Sequence, residues 1–415
     1  MVPKGWKKTH LKCVISGAIK NGYSPLPAST TTGYWVLSLG ALTDHGINPL
    51  EIKPVVVDEK VKQALLSGGD FLVSRSNTPN KVGRSIRFKN EVQNCSYPDL
   101  MMRFCIDTTK ADPDFIEIKL KSTEVRQYYK SCAAGSSSSM VKINKAVVEN
   151  TPLLLPSFPE QKKIAKILST WDKAISTTEQ LLANSQQQKK ALMQQLLIGK
   201  KRLLDSNGVR FSGDWKQVKL SKIFERVTTK NNGKSSNVVT ISGQQGLIRQ
   251  EDFFKKSVAS DILDGYFLLM KGQFAYNKSY SNGYPVGAIK RLNRYADGVV
   301  TTLYICFEIS EPTTANGDFW EHYFESGLLN KGLSQIAHEG GRAHGLLNVK
   351  PTDFFSLKVP LPSLDEQQKI AAVLSTADQE ITTLQQKLDA LKLEKKALMQ
   401  QLLTGKRRVK TAEVL

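Results

Sequence analysis

The stretch KKALMQQLLIGKKR, residues 189–202, returns as KKALMQQLLTGKRR at 395–408, changed only at Ile198 against Thr404 and Lys201 against Arg407. Extended upstream at the same offset of 206 residues, 155–202 aligns with 361–408 without a gap, and 28 of the 48 positions are identical. Chance does not produce such a match, so the chain is built on a doubled element. Each copy opens on Pro-Ser-x-x-Glu-Gln: Pro156, Ser157, Glu160 and Gln161 in the first, Pro362, Ser363, Glu366 and Gln367 in the second. The Ser-to-Glu spacing is that of a capping box, in which hydroxyl and carboxylate reciprocally satisfy backbone N–H groups at a helix start. Gly199 and Gly405 follow Leu-Leu-x at the far end. A left-handed glycine stops a helix there, and the basic residues after it suit the negative helix terminus.

Between these signals runs a heptad seam. In the first copy it reads Ile164, Leu168, Trp171, Ile175, Thr178, Leu182, Ser185, Lys189, Leu192 and Leu196. In the second it reads Ile370, Leu374, Ala377, Ile381, Leu384, Leu388, Leu391, Lys395, Leu398 and Leu402. Each helix spans about 40 residues, roughly 60 Å at 1.5 Å per residue. A helix of that length exposes a long apolar stripe if left alone, so the two copies are expected to pack on each other, or on a partner's helices, as a coiled coil.

The intervening sequence changes character. Gly, Pro, Asn and aromatics become frequent, and short strand-like runs appear at 34–39 (YWVLSL), 71–76 (FLVSRS), 238–243 (VVTISG) and 299–309 (VVTTLYICFEI). Faint kinship links the two regions. Trp6-Lys7-Lys8 and Leu11 parallel Trp215-Lys216-Gln217 and Leu220, and Gly69-Asp70-Phe71 before Ser74-Arg75-Ser76 parallels Gly272-Gln273-Phe274 before Asn277-Lys278-Ser279. The expected fold is two α/β (α+β) heads separated by long helices in a pseudo-twofold repeat. Its expected segments are a first head at 1–150, a helical spacer at 151–204, a second head at 205–356 and a distal helical spacer at 357–415.

Net charge is +20 with a pI near 9.6, and a polyanion such as nucleic acid is the natural partner of so basic a chain. No run approaches the roughly 18 apolar residues of a membrane span, and residues 1–13 lack the apolar core of a secretory signal. A cytoplasmic location is expected. Five cysteines (Cys13, Cys95, Cys105, Cys132, Cys306) form an odd set without C-x-x-C spacing, so neither a disulfide framework nor a zinc knuckle is indicated.

The chain resembles the DNA-specificity subunit of type I restriction-modification systems. The resemblance covers its whole length. It rests on the doubled LPS-x-x-EQ-x-KIA to KKALMQQLL-x-GK segments, the GW and DW head starts, and the GDFLVSR and GQFAYNK strands. It implies two target recognition domains reading a bipartite asymmetric site on double-stranded DNA, and an antiparallel coiled coil that spaces them and docks two copies of a methylation subunit. An ATP-driven restriction/translocase subunit is a further, optional partner. By the same resemblance this chain holds no cofactor and is not itself an enzyme, while S-adenosylmethionine, ATP and Mg²⁺ belong to its partners in a bacterial or archaeal cell.

Candidate DNA-facing residues follow from the need for fixed donors and acceptors in turn-rich segments. The first head offers Arg75, Asn77, Lys81, Arg84 and Arg87 within 74–87. The second offers Asn277, Lys278, Tyr280, Asn282 and Arg291 within 275–294, with Tyr276, Tyr284 and Lys290 alongside. Two small-residue loops, 133–145 and 338–350, lie near the exits into the helices, and Arg342 in the second is suited to phosphate or guanine. His338 and His344 flank its glycines without a spacing that suggests metal. Nucleotide-loop, zinc-helix and nucleophile-elbow motifs are missing. Two alternatives stay open. Pro98-Asp99 followed by Glu117-Ile118-Lys119, with Asp114 nearby, fits the loose pattern of a Mg²⁺-dependent nuclease, although an alternating strand at 115–121 explains the same residues. The other is a coiled-coil scaffold that reads no sequence.

Overall fold

The computed structural model describes residues 2–44, 46–137, 140–254, 263–339 and 347–410. Two helices of 39 residues, Phe158–Leu196 and Leu364–Leu402, dominate it. Each ends on a left-handed glycine, Gly199 at φ +70° and Gly405 at φ +69°. Lys201 N–H reaches back to Gln195 C=O at 3.1 Å, and Arg407 N–H to Gln401 C=O at 3.1 Å, satisfying carbonyls that the helix leaves orphaned.

Two compact units divide the chain: Met1–Thr178 with Lys387–Leu415, and Glu179–Gln386. The division runs through both long helices. In the first unit Ile164 and Leu168 are fully buried in one cluster with Leu402 and Leu403. In the second, Leu196 and Leu197 share a cluster with Ile370 and Leu374. Within each unit the start of one helix therefore lies beside the end of the other, an antiparallel pairing. Burying one such Leu or Ile contributes about 1.5–3 kcal/mol. Ile175, Leu182 and Leu388 are buried as well, and Trp171, Leu192, Ile381, Leu384, Leu391 and Leu398 are half-buried, while Gln186 to Gln188, Gln194 and Gln195 face solvent.

The seam lysines are ion-paired. Lys189 Nζ lies 2.5 Å from Asp378, and Lys395 pairs with Asp172. Asp172 and Asp378 are themselves equivalent positions of the repeat, so one bridge is made twice.

Each head is built around an antiparallel four-stranded sheet, with smaller sheets and helices packed about it. In the first the strand order is Ile15–Asn21, Met101–Ile106, Phe71–Ser74, Ser85–Arg87. In the second it is Phe224–Val227, Ile305–Ile309, Phe274–Asn277, Ala288–Arg291, the same order. A further strand pair closes each head. Lys7–His10 runs antiparallel to Pro152–Leu155, and Lys216–Lys219 to Lys358–Leu361. The second strand of each pair leads directly into a long helix.

The helix starts depart from the capping-box expectation. Ser363 Oγ does accept the Glu366 N–H, at 3.4 Å. The carboxylates, however, turn away from the backbone. Glu160 takes the Trp6 indole N–H at 3.2 Å and a two-pronged contact from Arg408 at 2.7 and 2.9 Å. Glu366 takes Trp215 at 2.9 Å and Arg202 at 2.6 and 2.8 Å. A forked guanidinium and an indole offer stronger, charge-assisted bonds than one backbone amide, so the side chain serves tertiary structure. Beside them Gln161 and Gln367 donate to the carbonyls of Pro156 and Pro362, each at 3.0 Å, and accept a head N–H at 2.9 Å, from Asp112 and Asn316 respectively.

A second departure lies at 113–120. The alternating run expected as a strand is the helix Pro113–Leu120. Asp112 caps it by accepting the Phe115 N–H, and Pro113 stands in the first turn, where its missing N–H costs nothing. Capping outweighs the alternation.

Removing the buried carboxylate tests this junction. Glu366→Ala leaves the Arg202 charge and the Trp215 N–H without their acceptor, at an expected cost of about 3 kcal/mol. Urea denaturation followed by amide exchange should show the loss, with protection falling in Lys216–Lys219 and persisting in Lys7–His10. An unshifted midpoint would show the carboxylate to be dispensable.

Candidate nucleic-acid interface

Of the candidate residues of the first head, Arg75 and Asn77 lie at one small three-stranded sheet. The segment expected as a loop at 133–145 is a β-hairpin, Ala134–Ser137 against Met140–Lys142, and its second strand pairs with Ser76–Asn77. Arg75 stands where this sheet leaves the central one. Its N–H donates to Leu100 C=O at 2.8 Å, its C=O accepts from Ile143 N–H at 2.9 Å, and its side chain is half-buried. The second head repeats the arrangement with the hairpin His338–Glu339 and Leu347–Asn348. There Lys278 stands in the place of Arg75, its C=O accepting from Leu347 N–H at 2.9 Å. Arg342 and His344 lie outside the described residues.

Not all the candidates are available to a ligand. Arg84 donates to Leu42 C=O at 2.9 Å and pairs with Asp44 at 3.0 Å. Arg87 is held by Asp114 and, at 3.5 Å, by Glu117. Arg291 is its counterpart, 2.6 Å from Asp318 with Phe274 beneath its guanidinium. Both arginines pin a helix to the edge strand of the sheet, which is a structural task. Asn77 is buried, accepts the Thr78 N–H at 2.9 Å and donates to Ser74 Oγ at 3.2 Å, shaping the chain reversal. Asn277 likewise accepts the Ser279 N–H at 3.1 Å. Tyr284 and Lys290 are drawn together with Glu325. Lys81, Tyr280 and Asn282 are exposed.

Reading the sequence missed two exposed cations. Lys142 belongs to the hairpin strand and Arg226 to the edge strand Phe224–Val227. Lys142 was within reach, since it lies inside the segment singled out as a loop. Arg226 carries no local signal and emerges only from the strand register.

The nuclease pattern is not assembled. Glu117 and Lys119 stand two positions apart on one helix, about 200° around its axis, and so face opposite ways. Glu117 is buried and bridged to Lys121 at 2.8 Å and Lys89 at 3.4 Å. Burial opposes its ionisation, yet Lys121, Lys89 and Arg87 outweigh that and hold the carboxyl below its ordinary range. Lys119 is fully buried against Glu124 and the Leu403 carbonyl, at 2.6 and 3.3 Å. Asp99 bonds to Ser24. Among the described residues no cluster of three or more His, Cys, Asp or Glu side chains is arranged to hold a metal ion.

Two related heads, each presenting a hairpin with a cation at its foot, are carried on a repeated helix junction. The family model for the type I restriction modification DNA specificity domain matches residues 56–184 and 311–393, just over half of the chain. This chain belongs to that specificity family. A Methanocaldococcus jannaschii chain assigned as the MjaX type I restriction enzyme specificity subunit is 23% identical over 427 residues, covering 99% of this chain and 95% of its own. The MjaVIII specificity subunit of the same organism is 25% identical over 323 residues, covering 71% and 70%. A crystal structure of the type I restriction-modification S subunit from M. genitalium matches with a TM-score of 0.57 at 14% identity over 96% of both chains, a likeness of fold. Among the described residues no helix is long and apolar enough to cross a membrane.

One difference between the two units of this specificity-family chain is titratable. His322, buried in the helix Gly317–Glu325, has its Nε2 3.2 Å from Ser375 Oγ and its Nδ1 3.8 Å from Asp378, which also carries Lys189. Burial, with help from Lys189, pulls the imidazole below its ordinary value of 6.5, against the opposing pull of Asp378, Asp318 and Glu325. The corresponding residue of the first head, counted from the caps Asp112 and Asn316, is Ile118. Because the folded pKa lies below the unfolded one, the unfolded chain takes up more protons as pH falls below about 6.5, and the second unit loses stability there. Amide exchange corrected for intrinsic rates should show this loss between about pH 7.5 and about pH 5.5 in the second unit alone, and His322→Gln should abolish it. Equal losses in both units of both proteins would remove His322 as the cause.

Proposed function

We propose that this chain is the noncatalytic, sequence-reading subunit of a type I restriction-modification complex. Each head binds one half of a bipartite asymmetric site on double-stranded DNA, and the helices dock two copies of a methylation subunit, with a restriction/translocase subunit as an additional partner. S-adenosylmethionine, ATP and Mg²⁺ act in those partners, in the cytoplasm. The observation that carries the reading is the repeated junction. The same glutamate, tryptophan, arginine and glutamine contacts fasten each head to its helix, while the surfaces beside the hairpins differ. A constant mounting with variable contents suits a partner met twice and a base sequence met once per head. Residues 1–150 and 205–356 would then act as separate readers, with 151–204 and 357–415 as spacers, and helix length would fix how many bases between the half-sites go unread.

Exchange of residues 1–150 for the first head of another specificity subunit, followed by genome-wide mapping of methylated adenines in a host supplying the methylation subunit, tests this. One half-site should change and the other should stay. Alteration of both halves would contradict independent reading by the two heads.

A further inference from the structure

In the first head the connection between the strands Phe71–Ser74 and Ser85–Arg87 is fixed more firmly than joining them requires. It leaves the small sheet at Asn77, which pairs with Val141 of the hairpin and whose side chain accepts the Thr78 N–H at 2.9 Å. Pro79 follows, its ring presetting φ, and the chain turns back with the Lys81 and Val82 N–H groups both on Thr78 C=O at 2.9 Å. Gly83, at φ +68°, lies against the helix Thr123–Cys132, where a Cβ would stand 2.5 Å from Tyr129. From the same helix Arg126 forks onto the loop. One of its nitrogens donates to Asn80 C=O and another to Val82 C=O, each at 2.8 Å, and among the described residues it has no ion pair with a carboxylate. A surface turn can leave such carbonyls to water, so a half-buried guanidinium committed to two of them holds the backbone in one shape.

What this fixed backbone presents is polar. Thr78, Asn80 and Lys81 are exposed, and among the described residues their side chains have no bonding partner. An amide with donor and acceptor side by side matches adenine, an ammonium matches the acceptors of guanine, and a hydroxyl suits either. Fixing the backbone in advance removes the ordering cost of reading and sets the angle at which each group meets a base edge. We propose that residues 78–82 are the element with which the first head reads bases, and that Arg126 is the positioning residue that makes the reading selective. This rests on the DNA-reading function proposed above and names where in the first head the reading is done. The clamp is no part of the duplicated frame. Counted from the caps Asp112 and Asn316, Asn330 takes the place of Arg126 in the second head. There the connection is closed by other means, with Tyr276 Oη donating to Val286 C=O at 2.6 Å and Ser281 paired with Tyr284 across a tight turn. The clamps differ because the loops they hold differ.

The test uses the full-length chain with its methylation subunit, in a host whose methylated adenines are mapped genome-wide. Methylation of sites that depart from the full site by one base is compared with methylation of the full site, the halves being assigned by the head exchange above. Arg126→Met keeps the aliphatic stem and loses the fork. It should raise relative methylation of first-half departures by about tenfold, the scale of one base contact, and leave second-half departures unchanged. Arg126→Lys, with one point charge for two carbonyls, should fall between. Asn80→Ala and Lys81→Ala, both at exposed positions, should shift base preference in the first half alone. Methylation lost in equal proportion at every site in Arg126→Met would show a merely structural clamp and overturn the proposal, as would unchanged base preference in both alanine variants. If the unaltered complex methylates no bipartite site, the proposed function itself fails, a result distinct from a bipartite site whose bases the loop variants leave unchanged.

Discussion

Glu160 and Glu366 are 3% and 1% exposed, and each is buried with a forked arginine and an indole N–H on its oxygens. A carboxylate taken that far out of water costs several kcal/mol and is repaid only when all its donors are present in good geometry. Those donors come from distant parts of the chain. Trp6 and Trp215 begin the heads, while Arg408 and Arg202 follow the end of a long helix. The junction therefore forms only after head, helix start and helix end have met, which makes head docking and helix pairing one cooperative event within each unit. The glycine stops take part in this. A Cβ at Gly199 would come within 3.3 Å of the Trp215 ring, and one at Gly405 within 2.5 Å of Pro3. Besides its left-handed φ, the helix end needs a bare backbone because the tryptophan or the chain beside it lies against that turn.

The seam lysines extend the same logic along the helices. An unpaired lysine in a heptad core weakens it, yet a lysine bridged to an aspartate across the seam rewards one register and penalises its neighbours. Lys189 with Asp378 and Lys395 with Asp172 do this at equivalent points of the repeat. Register matters more than strength here, because sliding either helix by a heptad would also pull Glu160 and Glu366 away from their arginines.

The helices were the most legible part of the sequence. Heptad spacing, a start signal and a glycine stop are local features, and duplication reinforced each of them. The head sheets were legible as strand-rich, and their shared frame showed in the tryptophan and glycine pairs. What escaped notice depended on contacts between remote residues. Arg87 looked like a base reader until Asp114 appeared beside it, 27 residues on, and Arg84 until Asp44, 40 residues back. The glutamates of the helix starts had a plausible local partner in the backbone and a better one across the chain. At 113–120 two local signals competed, and an aspartate cap with a proline at the first turn prevailed over alternation that could have suited either element.

Comparing the heads separates mounting from reading. Arg87 and Arg291 each tie a helix to the last strand of the same four-stranded sheet, and Gln161 and Gln367 each receive that helix's cap residue. These contacts are duplicated because the frame they hold is duplicated. Arg226 has no counterpart of the same kind in the first head, where the register of Ile15–Asn21 against Met101–Ile106 shifts between Ser16 and Lys20. Four residue steps there, Ser16 to Lys20, stand against two, Cys105 to Arg103, an addition of two that disrupts the ladder locally while leaving the alternation beyond it and the strand order intact. One local irregularity in an edge strand thus distinguishes two heads of equal topology, and divergence of this kind leaves the glutamate junctions untouched.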